Sequence, residues 1–471
     1  MENSGGTSTE TPEVGRGGGR GGRRYDRDLT QGSIFHNLWT LAWPMAISTS
    51  LREIGPTIDL IWIGKLGPAP LAGVGVSAML SMLVNAMGSG IQVGTRAMIA
   101  RRIGAGDMEG ANHAMQQAFT INVIFSAMIA AVGVFMAKQI LTLFGLAPDV
   151  IAQGVPYMRI NFVGQIFGQF WMLVQAIMEA SGDSVTPMRV RLVVMVMRLF
   201  MAPAMIFGLW FFPKLGVTGA ALNNVINSVL AVMIAVWIIF TGHTRLRPSF
   251  KGFRFDGNMI WRILRIGIPN GVAGVANNIA NLTTMSFVVP FGTAAVAAHA
   301  LMNRLDLFMQ MPGMGLGQGA GVLAGQNIGA GKPERAEKTA WMSVGIFTGF
   351  MFMVSIVVWF FPANIIRLFN TDPELVRVGS IFIRISIAAY MVQGSASTLA
   401  QCLNGVGDTM MTMWVTLTSV WAIQMPAAYL LSHFTSLGVY GVRSGMMTGI
   451  VIRALVFVGY FRTGRWKNKK V

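Results

Sequence analysis

Several charged side chains stand inside long apolar stretches: Arg52, Asp59, Arg198, Arg304 and Asp306. Holding such a group at the centre of a bilayer costs about 3 kcal/mol or more, so each needs a partner or a role. Asp59 can take up and release a proton, whereas an arginine stays cationic. An acid at depth thus reads as a proton carrier, and an arginine at depth as a built-in counter-charge. Arg52 precedes Asp59 by two helical turns on the same face, while Glu53 points elsewhere. Arg304 and Asp306, two residues apart, cannot face one another, and either could reach an interior. His299, close to a span's outer end, reads as a packed or hydrogen-bonded group. Neutral polar candidates for the same interior are Gln165, Gln169, Gln310, Asn281, and Asn223 with Asn227 one turn on. The chain has 35 methionines. Met172, Met201, Met205 and Met285 are the kind of flexible, polarisable group found on promiscuous binding surfaces, though some methionines must face lipid.

Enzyme chemistry has no comparable basis. Cys402 is the single cysteine, so no intramolecular disulfide is possible. The five histidines lack zinc-ligand spacing. No Cys/His, Ser/His or paired-carboxylate constellation falls at mid-span, and no phosphate-binding loop of the Gly-x-x-x-x-Gly-Lys kind occurs. An enzyme and an ATP-driven pump are both excluded within this chain. A pore is disfavoured, because no ring of filter residues recurs. No cofactor and no metal is expected.

The elements that must position these groups are apolar helices. Of 471 residues, 53% are hydrophobic and only 12% charged, about half the charged share of a soluble protein. That excludes an ordinary cytosolic enzyme or a disordered chain. Spans of about 20 apolar residues fall at 36–63, 71–98, 112–138, 152–180, 187–212, 217–241, 259–289, 296–324, 336–361, 376–403, 409–431 and 438–461. The fold class is an all-α membrane protein with twelve transmembrane helices. The net charge of +17 could suggest nucleic acid, but lysine and arginine gather in alternate loops. Only Lys65, Lys138, Lys214, Arg367, Arg377 and Arg443 fall on the opposite side. The asymmetry puts both termini in the cytoplasm and makes the protein a multi-pass plasma (inner) membrane protein with no nucleic-acid partner.

The sequence also repeats itself. Pro44 matches Pro269, Gly104-Ala105-Gly106 matches Gly329-Ala330-Gly331, Arg159-Ile160 matches Arg384-Ile385, and Gly182-Asp183 matches Gly407-Asp408. Each pair is 225 residues apart; Leu215-Gly216-Val217 and Leu437-Gly438-Val439 are 222 apart. Each half therefore holds six helices in the same orientation, a parallel repeat whose two bundles enclose a cleft suited to alternating access. The expected organisation is a disordered Gly/Arg-rich cytoplasmic tail (1–33), an N-lobe (34–241), an inter-lobe linker (242–258), a C-lobe (259–461) and a basic cytoplasmic tail (462–471). Asp183 and Asp408 read as equivalent helix N-caps, Glu179 as a group at a cytoplasmic helix end, and Arg159 and Arg384 as donors to loop carbonyls. The run Pro312-Gly313-Met314-Gly315 reads as a break and hinge in the eighth helix.

These motifs resemble the multidrug and toxic compound extrusion family over residues 34–460. The resemblance rests on Leu41-Ala42-Trp43-Pro44, Asp59-Leu60-Ile61-Trp62-Ile63-Gly64, Ala180-Ser181-Gly182-Asp183, Ala297-Ala298-His299, and Gly325-Gln326-Asn327-Ile328-Gly329-Ala330-Gly331-Lys332-Pro333. It implies a secondary antiporter that exports amphipathic organic compounds against an inward proton gradient, or a sodium gradient as the alternative. It also implies that Asp59 and Arg198 meet in the N-lobe, either as a proton-operated switch or as a static salt bridge. Where the family places an Asn and an Asp on the fifth helix, this chain has Arg198 and Ala202. Where one branch has second-lobe acids, it has Asn277 and Gln393, which puts sodium binding there in doubt. Asn277 joins the cavity set. Arg52 and Arg198 against one Asp59 would favour anionic or zwitterionic substrates, and a lipid or lipid-linked glycan flippase of the same architecture is a further alternative. Small organic substrates and membrane lipids are the expected partners of a monomer.

Overall fold

A computed structural model describes residues 28–66, 68–145, 147–209, 212–241 and 253–469. Most of the Gly/Arg-rich tail, much of the inter-lobe linker and the last two residues lie outside the described residues. The N-lobe helices are α1 (Ile34–Gly64), α2 (Pro68–Gly104), α3 (Met108–Leu143), α4 (Pro148–Ala180), α5 (Val185–Phe207) and α6 (Gly216–Phe240). The C-lobe holds α7 (Gly257–Val288), α8 (Thr293–Gly329), α9 (Pro333–Phe360), the short α10 (Pro362–Arg367), α11 (Pro373–Gly405), α12 (Thr409–Leu417), α13 (Met425–His433) and α14 (Val439–Arg462). A π-helical segment, Thr418–Gln424, joins α12 to α13. With that run counted once and α10 set aside, twelve spans result, six per half. Nine of the helices are long and apolar enough to cross a membrane among the described residues. The remaining three spans are α1, with Arg52, Glu53 and Asp59; α8, with Arg304 and Asp306; and the α12–α13 run. Large apolar side chains such as Phe135, Trp237, Met353 and Leu455 point outward, as a lipid-facing surface requires.

Polar residues set the helix starts. Ser33 accepts the His36 N–H, Asp107 the Gly110 N–H, Asp256 the Asn258 and Met259 N–H groups, and Asp372 the Leu375 N–H. Each satisfies a donor that the first turn leaves without an intrahelical acceptor. Asp183 acts this way on Thr186. Asp408 does not: its carboxylate accepts from the Tyr460 hydroxyl at 2.5 Å and pairs with Lys469 at 2.9 Å.

The described parts of the two expected tails, 28–33 and 462–469, are docked. Leu29 is buried in a core cluster, Asn37 donates to the Leu29 and Gln31 carbonyls, and Arg335 donates to those of Gln31 and Gly32. The boundary at residue 33 therefore moves to residue 28 at the latest. At the other end Trp466 is buried and stacked on Phe461 at 4.5 Å, and Lys467 pairs with Glu337. An indole that finds both an aromatic face and a carbonyl acceptor, here that of Phe461, has no reason to stay in solvent.

The repeat is realised most directly where the lobes touch. Gly90 and Gly94 of α2 lie against the α7 backbone at Gly267 and Ile263. At positions 225 residues on, Gly315 and Gly319 of α8 lie against Ala46 and Ala42 of α1. The ends of α2 and α8 cross: Gly104 rests on the Gln326 backbone and Gly329 on that of Arg101, again an equivalent pair. Arg101 donates to the Val406 carbonyl at the end of α11, and Gln326 to the Ala180 carbonyl at the end of α4. All these approaches lie in the half of the bundle that carries Arg101, Arg102, Lys332 and Arg335, here called the basic face. Proline and glycine at 312–313 do not break α8, which runs without interruption from 293 to 329. Gly313 receives the Phe347 ring, and its neighbours are held by α1 and α11. Packing from both sides keeps helical a segment that loses one backbone donor.

Candidate ion-coupling sites

The N-lobe centre is built on α1, α5 and α6. Arg198 donates from Nε to Asp59 Oδ1 at 3.3 Å and from Nη2 to Asp59 Oδ2, and Nη2 also donates to Asn224 Oδ1 at 2.5 Å. Gly55, one turn before Asp59, leaves room for the guanidinium against α1; a Cβ there would fall 2.9 Å from Arg198 Nη1. The side chain of Asp59 is 7% exposed and that of Arg198 19%. Both carboxylate oxygens are thus engaged in a fork of charge-assisted bonds with little water nearby. An arginine cannot neutralise itself, so the acid is the only member of the pair able to change charge.

Arg52 does not join this pair. Its Nε lies 3.1 Å from Glu53 Oε1, both half-buried. Arg52 is matched by Glu53 and Arg198 by Asp59, so these two arginines do not face Asp59 together as expected. Asn223 and Asn227, expected to line the cleft, are buried and bonded to one another, Asn227 Nδ2 donating to Asn223 Oδ1 at 2.8 Å. Their neighbour Asn224 reaches the centre instead. Gln169 is buried and donates to Asn85, and Met205 is core. Gln165, Met172, Met201, Asn277 and Met285 are half-buried, and Asn281 is exposed.

The C-lobe has a centre of its own, on α8, α11 and α14. Arg443 donates from Nη2 to Asp306 Oδ1 at 2.9 Å and from Nε to Ser386 Oγ at 2.8 Å; the Tyr390 hydroxyl donates to the same Asp306 Oδ1 at 2.5 Å. Arg443 is 0% exposed and Asp306 15%. Counting Arg443 with the outer loops hid this pair, although it lies inside the span 438–461, and an unmatched Asp306 called for a buried base. Gln393 donates to Gln310 at 3.2 Å, so a neutral bond stands where the resemblance implies an acid. His299, within the first two turns of α8, is buried, and its Nε2 lies 3.2 Å from Asn303 Nδ2. Arg304 is exposed.

A third network was not anticipated. Glu179, at the end of α4, is buried; Arg96 lies 3.2 Å from its Oε2, Gln175 donates to its Oε1, and Arg191 donates to Gln175. It ties α2, α4 and α5 together. Arg159 donates to the Val134 carbonyl within α3, not to a loop.

Where the described part of the linker ends, His113 Nε2 and Asp256 Oδ2 lie 3.0 Å apart, and Gln117 donates to the Arg254 carbonyl. The His113 bond holds the Asp256 carboxyl below the usual carboxylate range. A group held low contributes stability above its ordinary value and loses it as pH falls through the lowered one. This latch is therefore expected to persist across the neutral range and loosen only below about pH 4. Amide exchange at the start of α7 against pH checks this; Asp256→Asn should remove the dependence.

Comparison with known proteins agrees with this architecture. The MatE family model matches residues 44–204 and 269–430, one copy per half. The Bacillus subtilis protein named "Probable multidrug resistance protein YoeA" is 25% identical over 93% of this chain and 96% of its own length. A Shewanella oneidensis protein named "FAD transporter" is 25% identical over 80% of this chain and 83% of its own. Among solved structures, an outward-facing multidrug resistance MATE transporter superposes with a TM-score of 0.87 at 23% identity, covering 94% of this chain and 98% of that one. A Pyrococcus furiosus transporter whose binding pocket is described as having reverse polarity gives a TM-score of 0.86 at 23% identity, with the same coverage.

Proposed function

Because the chain belongs to the MatE family, we propose that it is a multidrug efflux antiporter driven by protons, with Asp59 as the coupling acid. The observation that carries this reading is the buried Asp59–Arg198–Asn224 centre. A proton arriving on Asp59 removes the charge that holds the guanidinium. Arg198 then keeps only Asn224, and α1 is free to move relative to α5. The lobes are closed at the basic face by the glycine contacts and by Arg101 and Gln326. This arrangement suits a state open to the opposite side, where the substrate leaves and the proton enters. With the basic face cytoplasmic, the chain exports.

Substrates are amphipathic organic compounds held between the lobes by methionines and neutral amides. The Arg52–Glu53 pairing removes one of the two arginines that would favour an anionic lipid or glycan-lipid cargo. Purified protein in liposomes tests the reading through dye efflux under imposed gradients. Efflux that collapses with the pH gradient and ignores sodium supports it. Sodium dependence would overturn the choice of ion, and dye flux indifferent to both gradients would overturn the antiporter.

A further inference from the structure

We propose that Asp306 is a second proton-uptake site, in the C-lobe, and that the proton binds its Oδ2 oxygen. The proposal rests on the antiporter reading and adds a site to it. Its main support is how the two carboxylates are held. Asp59 spends both oxygens on Arg198, so a proton must displace a salt-bridge bond. At Asp306 the donors Tyr390 and Arg443 converge on Oδ1. Among the described residues no donor reaches Oδ2, and the side chain keeps 15% exposure. A proton delivered by water can bind Oδ2 while both bonds to Oδ1 persist. The cluster then passes from neutral to singly positive.

The repeat supplies an internal control. The positions equivalent to Asp306 and Ser386 in the first half are Ser81 and Asn161, joined by an ordinary bond of 2.9 Å from Asn161 Nδ2 to Ser81 Oγ. The packing at this place is therefore satisfied without charge, and the fold does not require the acid. Nor is Asp306 the repeat mate of Asp59, whose equivalent is Thr284. Each lobe carries an Asp–Arg pair at a position the other lobe leaves neutral. On α8 the acid belongs to a polar line, His299, Asn303, Asp306 and Gln310, spaced four, three and four residues apart and so on one helix face. The charged and titratable groups facing Asp306 are Arg443 from α14, Tyr390 from α11, and His299 from two turns earlier on α8. Among the described residues the nitrogens Arg443 Nη1 and His299 Nδ1 are buried without a hydrogen-bond partner, so the cluster retains unused polar capacity beside the acid.

Infrared difference spectra of the full chain in lipid nanodiscs, recorded on acidification, test the site. The wild type is expected to gain a protonated-carboxyl band that is lost in Asp306→Asn, changes frequency in Asp306→Glu, and survives in Asp59→Asn. A band unchanged in Asp306→Asn overturns the proposal. If that variant does not fold, Asp306→Glu decides: a band that keeps the wild-type frequency does not come from this residue. Dye efflux of the wild type that ignores a pH gradient would overturn the antiporter reading and leave the infrared outcome readable by itself.

Discussion

Asp59→Asn is expected to reduce gradient-driven efflux by at least a hundredfold, to the level of empty liposomes. An amide has no proton to exchange, so the cycle loses the event that releases Arg198. The variant also leaves a guanidinium, 19% exposed, with Asn224 as its remaining strong acceptor. Breaking one side of a buried pair costs about 3–5 kcal/mol, reduced here by Asn224 and the residual exposure, so a lower melting temperature should accompany the loss. Those two effects can be separated. Asp59→Asn combined with Arg198→Gln removes both charges and should recover most of the stability. If the pair is a switch, the double variant is stable and remains inactive in gradient-driven efflux. If it is a static lock between α1 and α5, efflux returns with stability, and the coupling role of Asp59 is refuted.

The second large effect is expected at the crossing of α2 and α8. Gly104→Ala places a methyl group against the Gln326 backbone, and Gly329→Ala places one against that of Arg101. Backbone cannot rotate away as a side chain can, so the helices must separate. Either variant is expected to reduce efflux more than tenfold and to shift the resting population toward a form open at the basic face. Spin-label distances between the ends of α4 and α11 would report that shift. Gly345→Ala and Gly349→Ala, where a Cβ meets nothing within 4 Å, should leave both efflux and distances unchanged. Normal efflux in Gly104→Ala would mean that the glycine crossing does not seal the face.

The twelve spans and the two six-helix halves were legible in the sequence because lipid forces long apolar runs and the duplication left matched motifs 225 residues apart. Asp59 stands out in such a run as an acid with no charged residue within four positions on either side. Partners were harder to find. Helical spacing puts Arg52 on the face of Asp59, yet it turns to the adjacent Glu53, because a long flexible side chain is not confined to its nominal face. Spacing alone does not say which face of α6 meets α5, so it does not single out Asn224 from Asn223 and Asn227. Arg443 was hidden by its closeness to a loop. The run from Pro312 and Gly313 reads as a break because its stabilising contacts come from α1, α11 and Phe347, which no local pattern contains. The docked ends, Leu29 and Trp466, belong to segments whose composition suggests solvent, while single apolar residues within them decide otherwise.

The two seams between the lobes use equivalent glycines, 90 and 94 in one and 315 and 319 in the other, but they differ in what can pull on them. Neither α2 nor α7 contains an acidic residue. The other seam joins α1 to α8, and these helices carry Asp59 and Asp306. Thirteen residues separate Ala46, at the seam, from Asp59, a rise of roughly 20 Å. A tilt of about 5° at the acid end of such a rod displaces the seam end by about 2 Å, enough to disengage a glycine contact. A symmetric frame is thereby given one driven edge and one passive edge. Leverage, and not a contact running between the sites, would let a proton bound deep in a lobe unseat a seal on the far face.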